Sequence, residues 1–141
     1  MFKISHKIIL ETMVVFILIV ISITSFYATF LPDTKFLFFE ETYLELLALT
    51  ETGGNGKLNL LTYPLGLYFI CIFTCVQYLR SRNIVYINFL ILIWSAVLLA
   101  RIISIILRGG IIFDIYFLVG IFTVFNIAPF FFFIKNKVFK T

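Results

Sequence analysis

Four long apolar runs alternate with short polar breaks along the chain, at 8–31, 58–79, 84–107 and 111–134. Each has 22 to 24 residues, enough to cross a hydrocarbon layer of about 30 Å at about 1.5 Å per residue. Runs of this length fit helices and not the roughly ten-residue alternating strands of a membrane barrel. The pattern therefore predicts an all-α membrane protein, an antiparallel bundle of four transmembrane helices forming a single domain over 1–141.

The breaks carry helix-ending signals. Pro32-Asp33 closes the first run, because proline cannot continue the hydrogen-bond ladder. Arg80-Ser81-Arg82 separates the second run from the third, and Arg108-Gly109-Gly110 makes a tight connection to the fourth. Pro64 falls in the first turns of its run, where a missing donor is tolerated. The first run follows Lys3, His6 and Lys7, as a signal peptide would. It exceeds the roughly 7–15 residues of a signal's apolar region and lacks a small-x-small exit, Ala28 being flanked by Phe26 and Phe30. It reads as a retained helix.

The long break, 32–57, differs from the others. Within 36–50, Phe36, Phe39, Tyr43, Leu46 and Leu47 recur at helical spacing opposite Glu40, Glu41 and Glu45. This predicts a short amphipathic helix resting on the membrane surface in the first outer loop. It ends at the permissive segment Gly53-Gly54-Asn55-Gly56.

Composition strengthens the membrane reading. Hydrophobic residues make up 62% and charged residues 13% of the 141, against about half and a quarter in soluble domains. A net charge of +4 is not arranged as a basic face interleaved with exposed aromatics, so nucleic acid is not an expected partner. Placing both termini on one side gives that side Lys3, Lys7, Arg80, Arg82, Lys135, Lys137 and Lys140, and leaves Lys35, Lys57 and Arg108 opposite. The positive-inside rule then puts the N- and C-termini in the cytoplasm and the loop outside.

Ionisable residues within spans are functional candidates because burying them costs at least ~2.5–3.5 kcal/mol. Glu11 lies about one turn inside the first helix. It is a candidate intramembrane acid, or else an interfacial partner of Lys7, Arg80 or Arg82. Arg101 lies ~27 Å along the third helix from Asn83, on a face with Leu90, Trp94, Val97, Ser104 and Arg108. Asp114 opens the fourth helix across the glycine turn, so an Arg101–Asp114 clamp and an anion-binding site are both open readings. Arg101, Asp114, Ser104 and Tyr68 form the candidate polar site. Stripes at Glu11, Val15, Leu18, Ser22, Ser25 and Thr29, and at Tyr63, Gly66, Ile70, Phe73 and Gln77, are expected to face the bundle. Asn126 is expected to hydrogen-bond between helices, and Pro129 to kink its helix and free a carbonyl.

No catalytic residue, metal site or cofactor is nominated. Cys71 and Cys75 are two, the single His6 is distant in sequence, and zinc needs about four ligands. No nucleophile elbow, zinc-helix motif or phosphate loop occurs.

From the loop exit onward the chain resembles a bacterial family of small four-span proteins, domain-of-unknown-function family 4345. The features concerned are Asn55 through Leu58, Gly66-Leu67-Tyr68, Arg80-Ser81-Arg82, and Ala100-Arg101-Ile102-Ile103-Ser104 leading to Arg108-Gly109-Gly110. They span about the last 85 residues. That family usually has an acidic residue where Arg108 stands, and often glycine where Pro64 stands. The resemblance implies four spans in a bacterial inner membrane and singles out Arg101. It implies no activity.

The expected function is a small integral membrane protein of non-enzymatic role, packing with itself, another membrane protein or lipid. The alternative is a carrier or binding protein for a lipid or small anionic molecule, with a polar pocket near Arg101.

Overall fold

The computed structural model describes residues 6–37, 40–42, 45, 56–108 and 115–138, without the side chains of 56–64, 104, 108, 115, 116 and 136–138. Among these residues the chain is helical, with no strand beyond one isolated bridge. Helix α1 is His6–Phe30, α2 is Gly56–Ser81 and α3 is Ile84–Arg108. Helix α4, Ile115–Phe122, continues through a π-helical turn, Thr123–Ile127, into α5, Ala128–Val138. Sequence neighbours pack together: α1 on α2, α2 on α3, and α3 on α4 and the π turn, while α5 returns to α1. His6–Phe30, Ile84–Leu107 and Phe117–Lys135 are long and apolar enough to cross a membrane, and Leu65–Ser81 is a shorter apolar helix.

The packing seams follow a heptad rhythm. Helix α1 buries Leu10, Val14, Ile17, Ile21, Thr24 and Ala28, at alternating steps of four and three. Helix α2 buries Tyr68, Cys71, Cys75 and Tyr78, and α3 buries Ile87, Leu90 and Trp94. Such spacing keeps one stripe of each helix against its neighbour at a shallow crossing angle. The stripes expected from the sequence are met only in part: Ser25 is buried and Leu18 packs against the core. Val15, Ser22 and Thr29 on α1, and Gly66, Ile70 and Phe73 on α2, are exposed. Hydroxyl groups find partners within their own helix on exposed and buried faces alike. Thr12, Thr29 and Thr74 donate to the carbonyls of Ile8, Ser25 and Ile70 at 2.9, 2.7 and 2.7 Å. Satisfied in this way, they need no interhelical partner.

A two-residue turn joins α2 to α3. Arg82 adopts φ 57° and its N–H donates to the Tyr78 carbonyl at 2.8 Å, closing the end of α2. Asn83 then caps α3, its Oδ1 accepting from the Val85 N–H at 3.0 Å.

After α1 the chain turns back on itself. Phe36 is buried against Tyr27, ring centroids 4.8 Å apart, and Lys35 pairs with Thr42 in an antiparallel bridge. The Phe36 N–H donates to the Glu41 carbonyl at 3.0 Å. The amphipathic helix expected over 36–50 is thus corrected at its start: the described residues of 36–41 are non-helical because Phe36 anchors to the core. Glu45 is helical and forms a reciprocal cap with Thr42. Its carboxylate accepts from the Thr42 N–H at 2.7 Å and hydroxyl at 2.9 Å, while its own N–H donates to that hydroxyl at 3.3 Å. Phe39, Tyr43, Leu46 and Leu47 lie outside the described residues.

The Thr42 backbone and hydroxyl hold the Glu45 carboxyl below its ordinary value of 4.5. A depressed folded value means that this cap is fully present above the ordinary carboxylate range and is lost as pH falls through the folded value. Titration of the Thr42 amide resonance is expected to show it moving to an unbonded position on acidification, and a flat response would reject the cap.

The π turn precedes Pro129, which has no N–H and whose ring excludes the carbonyl four residues back. The chain responds by widening: the Ala128 N–H bonds to the Thr123 carbonyl, five residues earlier. Where a kink was expected at Pro129 the helix instead widens, and Asn126 is exposed and not directed between helices. The wider turn rotates it to the outer face while Thr123 and Ile127 turn inward.

Candidate functional site

At one end of the bundle Arg82 Nη1 meets Glu11 Oε1 at 2.5 Å, tying the start of α1 to the α2–α3 turn. The Arg82 side chain is 43% and that of Glu11 21% exposed, so the pair belongs with interfacial contacts of modest energy. Of the partners the sequence offered for Glu11, the structure selects Arg82. The left-handed backbone of Arg82 is what turns its side chain back toward α1. The His6 ring stacks near Phe130 and Phe133, centroids 6.2 Å away in both cases. Lys7, Arg80, Arg82 and Lys135 therefore gather at the same end.

The centre of the bundle is built on Trp94, which is completely buried. Gly120 of α4 lets the backbone approach it: a Cβ there would touch Trp94 Cε3 at 3.8 Å and Leu98 Cδ1 at 3.7 Å. Trp94 Nε1 has no hydrogen-bond partner among the described residues. Thr123 Oγ1 is likewise buried and unpartnered there, alone among the buried threonines. Thr24 and Thr74 bond the carbonyl four residues back, and Thr123 sits at the start of the π turn, where that ladder changes. Cys71 and Cys75 are buried free thiols. No group of three or more metal-ligating side chains occurs among the described residues.

Arg101 is half-buried, seven residues beyond Trp94 and so on the same stripe of α3. Tyr68 is fully buried on the facing seam of α2. Two members of the candidate polar site therefore lie on the inward stripes of neighbouring helices. Asp114 and the Ser104 side chain lie outside the described residues. The sequence reading missed Thr123 and named Trp94 only as sharing a face with Arg101. The rhythm Ile87, Leu90, Trp94 was the available signal for its burial, whereas no local signal marked Thr123. Comparison with family models, curated proteins and solved structures found no match to this chain.

Proposed function

We propose that this chain is a four-span integral membrane protein of non-enzymatic role, which packs with lipid, with itself or with another membrane protein. The observation that carries this reading is the exposure of large apolar side chains on every helix. Phe16, Phe26, Phe69, Phe73, Leu92, Ile106, Phe125 and Phe132 all face outward while the seams inside are also apolar. Soluble proteins rarely expose contiguous patches of this kind, and lipid is the solvent that accommodates both faces. The four-span layout, the bacterial inner membrane and the resemblance to domain-of-unknown-function family 4345 belong to the same reading. So does a surface helix following the Thr42 cap.

The clustering of Lys7, Arg80, Arg82 and Lys135 at one end supports cytoplasmic termini. Reporter fusions after Asn55 and at Thr141 test this. The expected result is an exported reporter at Asn55 and a cytoplasmic one at Thr141, with cysteines at 40 and 45 labelled from outside. An active cytoplasmic reporter at Asn55 rejects the topology.

A second reading, a carrier for a lipid or small anion, is favoured by the position of Arg101. A guanidinium that keeps its proton extends an otherwise apolar seam, where a carboxylate or phosphate would be its natural partner.

A further inference from the structure

A groove of about 460 Å³ runs between α2 and α3, walled by Phe69, Phe73, Val85 and Phe89, with Thr74 and Tyr86 along its floor. The Thr74 hydroxyl is already bonded to the Ile70 carbonyl at 2.7 Å, so it offers little to a polar ligand. The space is no larger than about one turn of an α-helix, and its walls are phenylalanine, not the small residues that let two helices approach. It suits a thin hydrocarbon chain.

A basic residue continues the groove's α2 wall toward the α2–α3 turn. Phe69, Phe73, Val76 and Arg80 follow one another at steps of four, three and four, so they share one face of α2. Arg80 lies ~10.5 Å along the axis from Phe73, at the helix terminus. It is exposed and makes no salt bridge among the described residues, unlike Arg82, which Glu11 neutralises. A cation with no acidic partner among the described residues thus stands beside an apolar channel, at the terminus of α2.

We propose that this groove binds an anionic phospholipid of the leaflet at the α2–α3 turn, one acyl chain lying between Phe73 and Phe89 and the phosphate meeting Arg80. The inference rests on the membrane-spanning reading above. The Arg80 guanidinium supplies planar donors suited to phosphate, and the Tyr86 ring is placed where interfacial aromatics sit.

The test uses the full chain purified in detergent, with phosphatidylglycerol and phosphatidylcholine supplied in equal amounts and retained lipid counted by native mass spectrometry. The wild type is expected to retain phosphatidylglycerol about five-fold over phosphatidylcholine, the scale of one basic residue at a membrane surface. Arg80→Gln is expected to abolish the preference. Val85→Trp, which fills the groove from an exposed position, is expected to remove most retained lipid, while Ile102→Trp, exposed elsewhere on α3, leaves it unchanged. Equal retention of the two lipids by the wild type, or wild-type behaviour of either groove variant, overturns the proposal. So does a disulfide-linked dimer formed in membranes through Val85→Cys, which would give the groove to a second copy. A chain that remains in solution without detergent would instead defeat the membrane reading itself.

Discussion

Trp94→Ala is expected to be among the most destabilising single changes in this chain. The side chain is completely buried and touches the face of α4 at Gly120. In water-soluble cores, removing a buried tryptophan costs about 3–5 kcal/mol. Lipid supplies little hydrophobic driving force between helices, so the loss here is chiefly of packing, and about 3 kcal/mol is expected. Part of the cost is offset because Nε1, unpartnered among the described residues, disappears with the ring. Thermal unfolding in detergent, followed by circular dichroism, measures the effect. The complementary changes at Gly120 set the scale. Gly120→Ala fits at ordinary contact distance and should be neutral or stabilising by up to about 1 kcal/mol. Gly120→Leu should drive α4 away from Trp94 and approach the damage of Trp94→Ala. A Gly120→Leu protein as stable as the wild type would show that α4 does not rest on Trp94.

Arg101→Ala separates the two readings of the candidate polar site. Were Arg101 and Asp114 a structural pair, removing the arginine would leave a carboxylate uncompensated, costing about 3–5 kcal/mol. Replacing both by apolar residues should then recover most of the stability. Were Arg101 a binding residue, Arg101→Ala would leave the melting temperature nearly unchanged and abolish binding of a small anion or lipid. Melting curves for the two single variants and the double variant distinguish these outcomes. The result that defeats both readings is an Arg101→Ala protein unchanged in stability and in binding. The clamp is the expected outcome, because the sequence sets Asp114 across the Gly109-Gly110 turn from Arg101.

Helix positions were legible in the sequence because length and punctuation encode them. The runs 8–31, 58–79 and 84–107 coincide closely with α1, α2 and α3, and Arg80-Ser81-Arg82 marks the turn between the last two. Which face of each helix turns inward was not legible from polarity. In a soluble protein the polar side points outward, but here both sides are apolar and the contrast vanishes. Ser22 and Thr29 looked like seam residues and are exposed, whereas Ser25 of the same stripe is buried; a hydroxyl bonded to its own backbone, as Thr29 and the buried Thr74 are, marks neither face. The better guide was spacing: Leu10, Val14, Ile17 and Ile21 carry the rhythm of close-packed helices regardless of polarity. The loop misled for another reason. Phe36 has helical spacing with later aromatics, yet its contact with Tyr27 decides its conformation. The sequence Thr42-Tyr43-Leu44-Glu45 carries the capping signature and marks the helix start more reliably than the apolar pattern. At the candidate site, Arg101 was conspicuous as a charge in a span, while the buried Thr123 hydroxyl depends on backbone geometry that residue identity does not announce.

The π turn before Pro129 also works as a phase adjuster. Val119, Thr123, Ile127 and Phe131 are buried at successive steps of four, and Ile134 follows at three. A regular helix drifts away from a fixed side when every step is four, and the widened turn absorbs that drift. The last span thus behaves as a helix with one inserted residue, taken up locally. Losing a residue within 123–127 would return the turn to ordinary pitch with the lower half still in register, although Pro129 would then have to be accommodated by a kink. The same deletion at the middle of α1 or α3 would swing the rest of the seam by about 100° toward lipid. Among the described helices, tolerance to length change is therefore concentrated in this turn, which also turns Thr123 toward the core.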